Sequence, residues 1–168
     1  MGVRHREGVA GDKTSVCGAA DEAGSRCRGC VVTRAPKKIN HIGLAVPDIE
    51  AFLRKTAPLY EGFSRGPMIV NERQKVRELY MTDGVTTVEL LEPLGEGAPL
   101  QAFLNRNPSG GLIHLALEVV DLDAAIARVI AAGGRLVVAP VPDVAFNECR
   151  IAFVYLGGQV TELVELPR

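Results

Sequence analysis

The chain contains no tryptophan, and aromatic residues make up only 5% of its 168 positions. Its core must therefore be built from aliphatic side chains, which a 47% apolar composition supplies. No run of eighteen apolar residues occurs, which excludes a membrane-spanning helix. There is no excess of positive charge: the formal net charge is −1, which argues against a general nucleic-acid binder. Four cysteines, three of them in the first thirty residues, do not make a disulfide framework in a chain this long. The N-terminus is rich in Gly, Arg and Ser and lacks the apolar stretch of a secretory signal, so a reducing cytoplasm is expected. Histidine is scarce, with only His5, His41 and His114.

The charges are unevenly spread. Residues 1–38 hold eight basic residues against four acidic ones, and the rest holds eleven against sixteen. The first segment has no apolar periodicity and could not bury enough surface to offset its ordering entropy. Residues 1–37 are expected to be a disordered tail, which a translation start near Val31 or Val32 would omit. Cys27-Arg28-Gly29-Cys30 has the spacing of half a zinc site, but no second pair follows and Cys17 is badly spaced, so unstructured thiols are expected there.

Residues 38–168 contain an internal repeat. His41-Ile-Gly-Leu-Ala-Val46 aligns with His114-Leu-Ala-Leu-Glu-Val119 at an offset of 73. Asp48-Ile49 meets Asp121-Leu122, and Glu89-Leu90 meets Glu162-Leu163, at the same offset. Apolar residues recur easily by chance in such a composition. A His and a Glu that recur at one fixed separation do so much less easily.

Each half reads as strand, helix, then three strands. On the strand opened by His41, Ile42, Leu44 and Val46 form a core face. His41, Gly43 and Ala45 form an opposite face whose small residues leave room beside the imidazole. Asp48 and Asp121 are expected N-caps ahead of the stripes Ile49, Phe52, Leu53 and Leu122, Ile126, Val129, Ile130. Further strands are expected at Met68–Val70, Val76–Met81 and Thr86–Glu92. In the second half they fall at Arg135–Ala139, Arg150–Tyr155 and Val160–Glu165, with an Asp83-Gly84 turn and a helical connector at Pro99–Asn105. The fold class is therefore α+β. Two βαβββ modules, 38–94 and 112–168, joined by a connector at 95–111, pair into one curved mixed sheet with helices outside.

Such a pairing would bring His41, Glu89, His114 and Glu162 together in the concavity. Two imidazoles and two carboxylates suit a divalent transition metal with further positions open, whereas a closed structural zinc site favours Cys. The alternative is a pair of hydrogen-bonded strand-end histidines with surface glutamates. Glu78 breaks the repeat, because its counterpart is the apolar Ile151. It is either a solvated strand residue or part of the chemistry.

Residues 39–168 resemble the vicinal-oxygen-chelate (glyoxalase-like) superfamily, and within it the methylmalonyl-CoA epimerases. The resemblance is carried by His41-Ile-Gly-Leu-Ala-Val-Pro-Asp48, Gln74-Lys-Val-Arg-Glu78, Val88-Glu-Leu-Leu-Glu-Pro-Leu94 and Ala98-Pro-Leu-Gln-Ala-Phe-Leu104. It continues through Gly111-Leu-Ile-His-Leu-Ala-Leu-Glu-Val119 to Thr161-Glu-Leu-Val-Glu165. The resemblance implies metal ligands at His41, Glu89, His114 and Glu162, filled by Co, Mn, Ni or Zn. It implies a proton-transfer pair at Glu78 and Glu162, an acyl-CoA-like substrate and a homodimer. The reaction implied is a 1,1-proton transfer at the carbon α to a thioester. The chain departs from the family pattern at Ile113-His114, often His-His, at Val141–Arg150, usually Gly-rich and basic, and at Tyr155–Gly158, where a His-Pro-Lys turn is usual. Other readings are a glyoxalase-type lyase or isomerase acting on a thiol adduct, a ring-cleaving dioxygenase using His41, His114 and Glu162, and a metal-free binding module of the resistance type.

Overall fold

A computed structural model describes residues 38–166. The expected tail, with Cys17, Cys27 and Cys30, lies outside the described residues. The first half runs β1 (Ile39–Ala45), α1 (Ile49–Thr56), β2 (Ser64–Asn71), β3 (Val76–Thr82) and β4 (Thr87–Pro93). A short helix, α2 (Gln101–Arg106), occupies the connector. The second half repeats the order as β5 (Gly111–Val119), α3 (Leu122–Ala131), β6 (Arg135–Asp143), β7 (Cys149–Leu156) and β8 (Gln159–Glu165). The eight strands form one curved sheet in the order β2-β3-β4-β1-β5-β8-β7-β6. Within each half the first strand lies parallel to the last, β1 to β4 and β5 to β8, and β1 meets β5 antiparallel at the centre.

The helices cover the outer face. Ile49 and Leu53 of α1 pack with Val46, Leu79, Met81, Val88 and Leu90. Leu122, Ala125 and Ile126 of α3 pack with Val119, Ala152, Val154 and Leu163. Both caps form as their sequence suggests: Asp48 accepts from Ala51 N–H at 2.6 Å and Asp121 from Ala124 N–H at 2.9 Å. A second anchor repeats as well. Glu92 accepts from Ile49 N–H at 2.9 Å while receiving Arg77 at 2.9 Å. Glu165 accepts from Leu122 N–H at 3.1 Å while receiving Arg150 at 2.8 Å. Each carboxylate thus binds orphan N–H groups and complements the positive end of its helix.

Two expectations change. The face of β1 bearing His41, Gly43 and Ala45 is the more deeply buried one, while Ile42 and Leu44 are half-buried. The sheet curves around the small-residue face, and α2 closes one end of it, where Leu100 and Leu104 pack with Ala45, Val76 and Leu91. The second correction concerns β6, which runs on past Ala139 to Asp143, through Pro140 and Pro142. Prolines normally end a strand, but β6 is the sheet's edge and its pairing with β7 shifts register on both sides of Val138, so the missing N–H groups cost little.

Leu90 lies at the middle of the first apolar cluster and is fully buried. Leu90→Ala is expected to destabilise the fold by about 2–5 kcal/mol, seen as a lower urea midpoint. Leu59→Ala, at a side chain 78% exposed, should stay within about 0.5 kcal/mol.

Candidate active site

The site is made by strand register. On β1, Gly43 lies between Glu89 of β4 and His114 of β5. On β5, Ala116 lies between His41 of β1 and Glu162 of β8. Gly43 and Ala116 are repeat partners, so the two rows are copies of one arrangement. In each row a His and a Glu stand two strands apart, about 10 Å across the sheet, and lean together over a residue too small to obstruct them. A Cβ added at Gly43 would lie 2.4 Å from His114 Cε1.

All four side chains are buried. Their donor atoms lie within 4.8 Å of one another. His41 Nε2 is 3.2 Å from Glu89 Oε2 and 3.1 Å from Glu162 Oε2, and His114 Nε2 is 3.3 and 3.2 Å from the same two atoms. The two Nε2 atoms are 3.1 Å apart. Adjacent donors on an ion with bonds of about 2.0–2.2 Å lie about 3 Å apart, so the set fits one cation. Glu89 Oε2 points at both imidazoles yet makes no hydrogen bond, a buried orphan that a cation would satisfy. His41 Nδ1 faces Asn40 Oδ1 at 3.0 Å, which places the Nδ1 proton there and aims the Nε2 lone pair inward. Asn40 then donates to Glu118 at 3.1 Å, and Glu118 pairs with Lys38 at 3.2 Å.

The electrostatics point the same way. Burial disfavours charge on His41, but the carboxylates of Glu162 and Glu89 outweigh it and raise its pKa to about 10. His114 rises to about 9 for the same reasons. Burial would raise Glu89, but the two imidazoles hold it well below the usual carboxylate range. The cluster therefore calls for positive charge. Protons on both imidazoles would set like charges face to face, whereas a single dication lies among all four donors without that conflict. The donor set fits a divalent metal.

Glu78 is not a solvated strand residue. It is 1% exposed, its Oε1 receives Asn71 Nδ2 at 2.8 Å, and its Oε2 has no hydrogen-bond partner. It stands on β3, on the same face as Tyr80 and one pleat away from it. Tyr80 itself went unnoticed in the sequence. It faces Glu89 in register and donates its hydroxyl to Glu89 Oε1, while its repeat partner Phe153 faces Glu162 with no hydroxyl to give. The signal was available as another break in the repeat. Phe146 was also missed, because it lies in a short turn after β6. Its ring stacks on His41, with centroids 5.7 Å apart and 12° between planes. A cleft of about 250 Å³ opens beside His114 and Gln74, walled by Val76, Leu91, Phe103 and Phe153.

Residues 40–153 match the family model described as the Glyoxalase/Bleomycin resistance protein/Dioxygenase superfamily, and the chain belongs to that superfamily. Within it the chain is similar to the methylmalonyl-CoA epimerases, which are isomerases. It is 35% identical to ethylmalonyl-CoA/methylmalonyl-CoA epimerase of Cereibacter sphaeroides over 135 residues, 77% of this chain and 98% of that protein. The crystal structure of methylmalonyl-CoA epimerase from Mycobacterium tuberculosis aligns with a TM-score of 0.69 at 27% identity, covering 85% of this chain and 97% of that one. A variant of Streptomyces coelicolor methylmalonyl-CoA epimerase in complex with 2-nitronate-propionyl-CoA aligns with a TM-score of 0.68 at 29% identity, covering 80% of this chain and all of that one.

Gly43→Ala tests the register argument. The new methyl group must push the His114 ring off its position while leaving backbone pairing intact. Affinity for Zn²⁺ or Mn²⁺, measured by calorimetry, is expected to fall on the order of tenfold to a hundredfold, with the far-ultraviolet circular dichroism spectrum unchanged.

Proposed function

We propose that this protein is a divalent-metal-dependent epimerase that moves the proton α to a CoA thioester, with methylmalonyl-CoA as substrate. The observation that carries the reading is a pair of features side by side. A four-donor cluster fit for a dication lies beside a separate buried carboxyl, Glu78, whose Oε2 has no partner. His41, Glu89, His114 and Glu162 would hold the ion, and Co, Mn, Ni and Zn all accept two nitrogens and two oxygens. Such an ion, when bound, supplies a Lewis acid for the negative charge that develops on a thioester oxygen. Glu78 and Glu162 are the proton-transfer pair, one taking the α-proton and the other returning one to the opposite side. Tyr80 holds Glu89 through its second oxygen and so keeps that carboxylate a ligand only. The apolar cleft beside His114 and Gln74 accommodates the acyl group and part of the pantetheine arm.

A ring-cleaving dioxygenase needs two histidines and one carboxylate, which leaves Glu89 without a task although it lies inside the cluster. A CoA thioester substrate supports the cytoplasm as the location in this reading. The same reading includes a homodimer as the assembly.

Proton exchange in heavy water tests the reading. Metal-loaded protein is expected to replace the α-hydrogen of methylmalonyl-CoA with deuterium and interconvert the epimers. Glu78→Gln should slow this about 10²–10⁴-fold with metal content unchanged. Stoichiometric metal binding without exchange would reject this substrate. The pH profile has a defined sign. Burial, then the charges of Glu89 and Asp143, push the Glu78 carboxyl up to about 8. The pair must share one proton, and that proton is lost as pH rises through the Glu78 value. Activity is therefore expected to fall above about pH 8 in both directions, and at a lower pH still as the bound dication draws Glu78 down.

A further inference from the structure

Asp143 is a buried carboxyl with no part in the chemistry so far. It ends β6, on the half of the sheet opposite Glu78, and is 3% exposed. Its Oδ1 accepts Ala145 N–H at 2.7 Å. Its Oδ2 accepts two amide donors, Gln74 Nε2 and Asn71 Nδ2, the latter at 3.3 Å. The same Asn71 Nδ2 donates to Glu78 Oε1 at 2.8 Å, and Asn71 Oδ1 accepts Gln74 N–H at 3.1 Å. One primary amide thus gives one hydrogen to each of two carboxyls that come from opposite halves of the chain.

The repeat sharpens the point. The partner of Glu78 is Ile151, and the partner of Asp143 at the same offset is Val70. Each half has replaced an apolar residue by a carboxyl at a different place, and the fold brings those two places together. Of the two Glu78 oxygens Oε2 alone has no partner, since Oε1 accepts from Asn71, which Asp143 holds from the far half.

We propose that Asp143 is a positioning residue for Glu78, holding it through Asn71 and Gln74 so that Oε2 faces the substrate carbon. This rests on the epimerase reading above for the role of Glu78, but not for the contact itself. The charges that oppose ionisation of Glu78 are those of Glu89 of β4, Asp143 of β6 and Glu162 of β8, while Tyr80, beside it on β3, and its hydrogen-bonding partner Asn71 are neutral. Asp143 therefore also opposes ionisation of Glu78 by its own like charge.

Asp143→Asn and Asp143→Ala separate these effects. The Asn side chain removes the charge and keeps one acceptor oxygen, which can serve the amide donors when its own NH2 turns away from them, whereas Ala removes the charge and both acceptors. Two readouts are taken on zinc-loaded protein. The first is kcat and KM for α-proton exchange with methylmalonyl-CoA. The second is the titration midpoint of Glu78 by carboxyl ¹³C NMR, its signal identified by its loss in Glu78→Gln. Asp143→Ala is expected to lower kcat about ten- to hundredfold with KM changed less than about twofold, and Asp143→Asn to lower it less. Both should lower the Glu78 midpoint by on the order of one pH unit. An unchanged midpoint overturns the proposal, and so does wild-type kcat in both variants. If Asp143→Ala fails to fold, Asn71→Leu removes the bridging amide instead and should lower kcat in the same way. If wild-type protein shows no exchange, the epimerase reading fails. The midpoint in Asp143→Asn then decides alone, a downward shift sustaining the Asp143–Glu78 link and no shift overturning it.

Discussion

The structure depends on the antiparallel seam between β1 and β5. Because Gly43 pairs with His114 while Ala116 pairs with His41, each half sends its histidine across the seam to the other half's small residue. Each glutamate arrives from the other side along a parallel pairing, Glu89 beside Gly43 and Glu162 beside Ala116. Neither half holds a complete donor set over its own small residue. A one-residue slip of the seam would turn every one of these side chains to the opposite face. Register, curvature and the small side chain at the crossing are therefore one constraint. The Arg77–Glu92 and Arg150–Glu165 pairs support it from outside by tying α1 and α3 to the last strand of their own half.

The frame is twofold and the chemistry is not. Tyr80 against Phe153, Glu78 against Ile151 and Asp143 against Val70 are the substitutions that spoil the symmetry, and all of them except Val70 lie on or beside the concave face. In the proposed reaction the two glutamates of the donor set have unequal tasks, since Glu162 would both hold the ion and act while Glu89 would only hold it. Tyr80 makes that distinction on the side of Glu89. The repeat gives a rigid scaffold, and single departures from it give each copy its own role.

Most of this frame could be read from the chain, because fixed spacing survives without coordinates. The offset between His41 and His114 predicted the halves, both caps and the four clustered side chains, and alternation along β1 separated its two faces. Local pattern failed where tertiary position decides. Pro140 and Pro142 hid the extension of β6, since nothing in the sequence says that β6 is an edge. That hid Asp143 in turn, because a carboxyl beyond a broken strand reads as a loop residue. Glu118 aligns with the apolar Ala45, so the repeat gives no sign of its task, yet it is buried and accepts from Asn40, the partner of His41. The Arg77–Glu92 pair recurs at the repeat offset but joins residues fifteen apart, which only the β3–β4 hairpin brings together.

The charge balance of the concave face ties these observations to one cause. Glu78, Glu89, Glu162 and Asp143 are all buried there, and among the described residues the titratable cations buried with them are His41 and His114. Four ionised carboxylates in such a volume would be costly. A dication among the donors can balance Glu89 and Glu162, which leaves Glu78 and Asp143 with amides alone. Burial raises the pKa of both, Glu78 to about 8. Both therefore favour the protonated form more than an exposed carboxyl does, and Glu78 does so with one oxygen free of hydrogen bonds. The feature that looks least stable, a like-charged pair without a counterion, is the one that would suit Glu78 to the acid's part in the proposed reaction.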